Sequence, residues 1–213
     1  MHFTTEFVRQ PKINSSNYLG IRVGILAFQG AFAKHKEMVE SLGCSSKLVR
    51  SAEELFSCDG LIIPGGESTV ISLLMNLTHF REALTLFAKS NPLFGTCAGL
   101  ILMAEHFLDV TVERNAYGRQ VDSFSCELPV HFPHNEKKVQ AIFIRAPKIT
   151  KILSPQVEVL AKHNDVPVLV KQGHFLGSSF HPELTNDPTI HQYFIEEVRH
   201  AKSGKKRSLL GHR

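Results

Sequence analysis

Nowhere in these 213 residues does an apolar run approach the ~18 residues that a membrane-spanning helix needs. The first 17 residues contain no continuous apolar core of the kind a secretory leader carries, so no signal peptide is expected. Cysteine is scarce. Cys44, Cys58, Cys97 and Cys126 are spaced widely and irregularly, matching neither a disulfide framework nor a structural zinc site. These absences point to a reduced, cytoplasmic protein without a bound metal. Acidic residues are missing from Arg199 onward, where six Lys/Arg accumulate, while 18 Lys/Arg and 20 Asp/Glu make up the rest. The net charge of +4 is therefore the property of a tail, and the body is close to neutral. No aromatic interleaving accompanies that tail, so it reads as a solvated terminus and not as a nucleic-acid-binding surface. What remains is an ordinary balance, 43% hydrophobic and 21% charged, sufficient for one domain with a full core.

Residues 1–20 are polar and read as an irregular lead-in. Ile21 to Phe28 is dense enough in apolar residues for a buried parallel strand. Gln29-Gly30 turns it into a helix that stops at Gly43. Short strands follow at Ser46–Arg50 and Asp59–Ile63, the second ending at Pro64-Gly65-Gly66-Glu67-Ser68-Thr69. Helical patterns cover Thr69–Leu77 and His79–Lys89, and a further strand runs into Cys97. This alternation predicts a doubly wound α/β sheet, whose sites lie beyond the C-terminal ends of the strands. Gln29, Gly65 to Glu67 and Cys97 all fall at such ends. The second half is richer in strand patterns, at Val110–Glu113, Gln120–Leu128, Val139–Arg145, Val157–Ala161 and Val166–Lys171, before a helix from Pro188 to about Ala201. With no repeat and no linker, residues 21–201 are expected to form a single domain followed by a basic tail, 202–213.

Gly95-Thr96-Cys97-Ala98-Gly99 has the form of a nucleophile elbow, a strand turning sharply into a helix with the central residue at the apex. Glycines at its ends let strand and helix approach closely. A helix N-terminus beside Cys97 favours a thiolate. Taken alone, the same segment also fits a buried structural cysteine. His181 and Glu183 stand two apart, so in an extended segment both side chains would share one face. The carboxylate then orients an imidazole whose other nitrogen is free to take a proton from Cys97. Donors for a tetrahedral oxyanion are available from the Ala98 N–H and from Gly65-Gly66, although a glycine pair equally marks a plain tight turn.

Pro64-Gly65-Gly66-Glu67-Ser68-Thr69, Gly95-Thr96-Cys97-Ala98-Gly99 and His181-Pro182-Glu183 together resemble the class I (triad) glutamine amidotransferases. The segment from Val112-Glu113-Arg114-Asn115 to Ser123-Phe124 narrows the resemblance, together with Phe143-Ile144-Arg145-Ala146-Pro147, Gln172-Gly173 and Phe180-His181-Pro182-Glu183-Leu184. These look like the glutaminase subunits of pyridoxal 5′-phosphate synthases, over about Ile21 to Val198.

The resemblance implies a flavodoxin-like, doubly wound mixed sheet and hydrolysis of L-glutamine through a thioester on Cys97. It implies His181 as base and Glu183 as its orienting acid, with Gly66 and Ala98 forming the oxyanion hole. Gly66, Glu67, Ser68, Arg114, Ile144 and Arg145 would line the glutamine site, and a guanidinium suits an α-carboxylate. Ammonia would pass to a separate synthase subunit, an oligomeric TIM barrel in this family, for vitamin B6 synthesis. Gln29-Gly30 matches a position near the oxyanion hole and the synthase contact. No metal or organic cofactor is expected, because thiolate and oxyanion hole suffice for amide hydrolysis. Glu105 to Val110 replaces a longer family loop, and the lead-in and tail extend beyond the family's usual limits. Two alternatives stand beside this one: a non-catalytic module that only docks on the synthase, and a triad glutaminase of another pathway, such as histidine biosynthesis.

Overall fold

A computed structural model describes residues 18–114 and 123–210, with backbone alone for 206–210. Most of the expected N-terminal lead-in, Asn115 to Asp122 of the Val-Glu-Arg-Asn segment and residues 211–213 lie outside the described residues. The strands are β1 (Arg22–Leu26), β2 (Ser45–Val49), β3 (Gly60–Ile63), β4 (Leu93–Thr96), β5 (Val110–Glu113), β6 (Ser123–Phe132), β7 (Asn135–Ile144), β8 (Lys148–Ile152), β9 (Val157–His163), β10 (Val166–Gln172) and β11 (Phe175–Ser178). The helices are α1 (Phe32–Ser41), α2 (Ala52–Phe56), α3 (Ser68–Leu77), α4 (Phe80–Ala88), α5 (Ala98–Ala104) and α6 (Thr189–Leu210), with a 3₁₀ turn at Pro182–Leu184.

Seven strands form the central sheet in the order β2-β1-β3-β4-β11-β10-β9. The five from β2 to β11 run parallel to their neighbours, while β10 is antiparallel to both β11 and β9. This is the doubly wound mixed α/β sheet that the alternation of strands and helices implied. Its central strands are apolar throughout because both faces are covered. In β3, Leu61 and Ile63 pack with Leu93, Ala98, Phe80 and Phe87 on one face, and Ile62 packs with Phe94, Phe194 and Val198 on the other. All of these are buried. A period of two thus feeds two cores from one strand.

Two smaller ribbons flank the sheet, β5 with β8 and β6 with β7. The β6–β7 hairpin is longer than expected at both strands, closing on Phe132 opposite Asn135. Pro129 does not interrupt it, since a two-stranded ribbon leaves an edge where a missing N–H is tolerated. The final helix also passes its expected end near Ala201 and runs to Leu210. Lys202 explains part of that extension: its ammonium donates to the Gly20 carbonyl at 2.6 Å and to Asp59 at 2.8 Å, tying the helix to the base of the sheet. No described helix is long and apolar enough to cross a membrane.

Candidate active site

Cys97 sits where β4 ends and α5 begins, with φ 50° and ψ −105°. This is a strained conformation for any residue with a side chain, and it is held by what surrounds it. The Cys97 N–H donates to the Ser178 carbonyl at 2.8 Å, carrying the β4–β11 pairing one step past the strand. Behind the turn, backbone packs on backbone. A Cβ on Gly99 would run into the Ile63 carbonyl oxygen, and one on Gly95 would lie 2.6 Å from the Gly99 carbonyl carbon. The expected elbow is present, and these contacts show why its two glycines are required.

The parallel register of Ser178 with Thr96 places the segment after β11 beside the elbow. His181 is fixed there by its N–H, which donates to the Ile142 carbonyl of β7 at 2.8 Å. His181 Nδ1 is 2.7 Å from Glu183 Oε1, and both side chains are buried. The expected extended geometry is not what joins them. Pro182 opens a 3₁₀ turn, and the carboxylate of Glu183 folds back under the imidazole within that turn. Burial by itself would lower the His181 pKa. Hydrogen bonds to Cys97 and Glu183, reinforced by their charges, overcome it and raise the value from 6.5 to about 10. Burial likewise opposes ionisation of Glu183, yet the histidines beside it, His35 and His181, hold its carboxyl below the usual range. An imidazolium between a sulfur and a carboxylate is the arrangement that results.

Gly65 and Gly66 follow β3 and lie against this group. The Gly65 carbonyl accepts from Ala31 N–H at 3.1 Å, and its own N–H donates to Thr96 Oγ1 at 3.1 Å. A side chain here has no room: a Cβ on Gly65 would lie 2.5 Å from His181 Cε1. Gln29 Oε1 accepts from the Glu67 N–H at 2.7 Å, which ties the end of β1 to the start of α3. Glu67 in turn caps α3 by accepting from the Thr69 N–H at 3.2 Å.

A cavity of about 440 Å³ opens over these elements. Gly66, Glu67, Ser68, Cys97, Ala98, Arg114, Ile144, Arg145 and His181 all line it, and Glu183 lies behind His181. Every site residue expected from the sequence is thus in the cavity wall or one contact behind it. The Ile144 carbonyl stands 4.0 Å from Cys97 Sγ. Arg145 is a second non-glycine residue with positive φ, 42°. Arg114 Nη1 donates to Thr69 Oγ1 at 3.3 Å, and Nη2 lies 3.9 Å from Glu105 Oε1. The short join at Glu105 to Val110 therefore leaves Arg114 at the cavity and supplies Glu105 as one of its partners.

Ile101, Pro147 and Leu184 also line the cavity and were not expected. Their apolar character looks like core in a sequence, so nothing marks them. His35 and His191 were missed as well: both are wholly buried behind the site. His35 stands four residues before the buried Val39 on the inner face of α1, a polar side chain where an apolar one would suffice. That was the available signal. Among the described residues, no group of three or more His, Cys, Asp or Glu is placed to hold a metal ion.

Known proteins resemble this chain in sequence and in fold. The chain is 48% identical over 179 residues to "Pyridoxal 5'-phosphate synthase subunit PdxT" of Francisella tularensis subsp. novicida, covering 82% of this chain and 97% of that protein. Its likeness to the protein of the same name from Francisella philomiragia is also 48%, over 182 residues, covering 83% and 99%. A crystal structure described as a glutamine amidotransferase matches with TM-score 0.78 and 44% identity, over 83% of this chain and 98% of that one. A putative GMP synthase component from Thermoplasma acidophilum matches with TM-score 0.67 at 16% identity, over 87% and 98%, a likeness of fold. The model of the SNO glutamine amidotransferase family spans residues 25–200, and this chain belongs to that family.

Proposed function

We propose that this chain is the glutaminase subunit of a pyridoxal 5′-phosphate synthase, hydrolysing L-glutamine and delivering ammonia to a separate synthase subunit. The carrying observation is the convergence of Cys97, His181 and Glu183 at one cavity, with backbone donors close by. Relatives named as subunits of that synthase support the pathway.

The chemistry assigned to the residues balances as follows. Cys97 thiolate attacks the side-chain carboxamide carbon of glutamine, and the N–H groups of Ala98 and Gly66 receive the oxyanion. His181 gives its proton to the departing nitrogen, ammonia leaves, and a γ-glutamyl thioester remains. Water then adds to the thioester, losing a proton to His181, and glutamate departs as the thiolate reforms. Glu183 keeps the imidazole oriented throughout. Arg114 and Arg145 supply positive charge for the α-carboxylate from the cavity wall, with Glu67, Ser68 and Ile144 shaping the remainder.

The Gly65 carbonyl is already engaged by Ala31, so turning the Gly65–Gly66 peptide breaks a hydrogen bond. The partner is assigned that task, as an oligomeric TIM barrel docking over the site, and the free subunit is expected to be weakly active. Ammonia release from L-glutamine, measured with and without the synthase subunit, tests both assignments. Stimulated release that disappears in Cys97→Ala is the expected result. Release that survives in Cys97→Ala removes the nucleophile, and release unchanged by the partner removes the dependence. No release from the wild type under any condition favours a non-catalytic docking module.

A further inference from the structure

Behind the triad, two histidines that the proposed mechanism does not use form a buried chain. His35 on α1 and His191 on α6 have no exposed surface. His35 Nδ1 lies 2.8 Å from His191 Nε2. The other nitrogen of His35, Nε2, is shared: it is 3.1 Å from Thr96 Oγ1 and 3.4 Å from Glu183 Oε2. The latter contact is electrostatic, since Glu183 Oε2 has no hydrogen-bond partner among the described residues. Thr96 Oγ1 also receives the N–H of Gly65. A single imidazole therefore touches both the carboxylate that orients His181 and the residue before the nucleophile, which itself holds the glycine loop.

The surroundings decide which nitrogen carries each proton. Burial lowers the pKa of both rings, that of His191 from 6.5 to about 3, so both are neutral. His191 Nδ1 has no partner among the described residues. Placing its proton there would strand a buried N–H and turn a bare His35 nitrogen toward the Glu183 carboxylate. With the proton on His191 Nε2, that ring donates to His35 Nδ1, and the Nε2–H of His35 faces Glu183 and Thr96. Because Glu183 is charged, its need for a donor governs the choice.

We propose that His35, tethered by His191, is a positioning residue of the glutaminase reaction. It holds the second oxygen of Glu183 and, through Thr96, the Gly65 loop, so that imidazole and oxyanion donors are set by one buried element. The role presupposes the triad proposed above.

Two near-isosteric variants test it, assayed as ammonia release by the complex with the synthase subunit. His35→Gln places an amide N–H near the position of Nε2 but has no atom at Nδ1 for His191, so it is expected to lose less kcat than His35→Asn. His35→Asn reaches only the Nδ1 position, keeps the contact to His191 and loses the donor toward Glu183. Its kcat is expected to fall about 10-fold, with KM for glutamine unchanged, because the polar N–H that faces the Glu183 carboxylate is lost. Equal losses in both variants, or wild-type kcat in a folded His35→Asn, overturn the proposal. His191→Phe, which keeps a ring and removes the tether, gives an independent reading if His35→Asn does not fold. Reduced kcat at constant KM is expected, and unaltered kcat overturns it. Cys97→Ala and Glu183→Gln run alongside: if they retain activity the triad itself fails, whereas their loss beside an active His35→Asn rejects the role of His35 alone.

Discussion

Charge at the site is arranged around His181, and Glu183 and the buried histidines behind it add two further pH windows. Its pKa is raised to about 10, so its contribution to stability is complete below pH 6.5 and is lost as pH rises through 10. Glu183, held below its ordinary value of 4.5, contributes above that pH and loses its contribution in stronger acid. His35 and His191 act in the opposite direction to His181. Both are neutral in the fold, while in the unfolded chain they gain protons as pH falls through 6.5. Stability should therefore decline below that point, with each ring adding up to about 1.4 kcal/mol per pH unit. Denaturant melts at pH 7 and pH 5 check this: His191→Phe should lose less stability between the two than the wild type. An equal loss would assign the acid sensitivity to other groups.

The β4–α5 elbow stands on atoms that no side chain separates. Gly99 lies against the Ile63 carbonyl, so Gly99→Ala forces α5 away from β3 and moves the start of the helix that carries Cys97. A loss of about 1–3 kcal/mol in unfolding free energy is expected, the range of overpacked core positions, accompanied by loss of ammonia release. Unchanged stability would mean that the helix shifts freely. This element was legible in the sequence because its spacing, glycine-x-cysteine-x-glycine after an apolar run, carries its own geometry. The strand order near the elbow was less so, because β11 enters from far along the chain. His181 and Glu183 were identified through their spacing, although a 3₁₀ turn and not an extended segment brings them together. Two short elements, α2 and β8, were invisible. A helix of five residues capped by Ser51 is too short to show a hydrophobic period, and Lys148–Ile152, reading Lys-Ile-Thr-Lys-Ile, breaks strict alternation within only five positions. His35 and His191 escaped notice because a buried neutral histidine leaves no pattern of its own among the twelve in the chain.

On the scale of the molecule, α6 closes the sheet and is anchored in its second half by Lys202, whose side chain and that of Asp59 are 31% and 22% exposed, and by Lys205, which donates to Asn91 Oδ1 at 2.6 Å. Partial burial makes this pair more useful than an open surface bridge, and the additional bond to the Gly20 carbonyl fixes the ammonium. Lys202→Ala should lower the unfolding free energy by about 1 kcal/mol without altering the rate of glutamine hydrolysis, because the pair lies outside the cavity. A melt showing no change would indicate that packing and the Lys205–Asn91 bond hold this part of the helix without Lys202.

The position of β11 has a temporal consequence. It pairs with β4 on one side and β10 on the other, and the segment after it delivers His181 and Glu183 to a cysteine more than 80 residues earlier. As the chain emerges from the ribosome, Cys97, its elbow and four of the parallel strands are made first, yet Cys97, His181 and Glu183 cannot meet until this late strand inserts into the middle of the sheet. Such a long-range pairing is slow to form. The meeting of Cys97 with His181 is therefore withheld from every nascent chain that ends before β11, and a complete site becomes a report that the long-range assembly of the sheet has taken place.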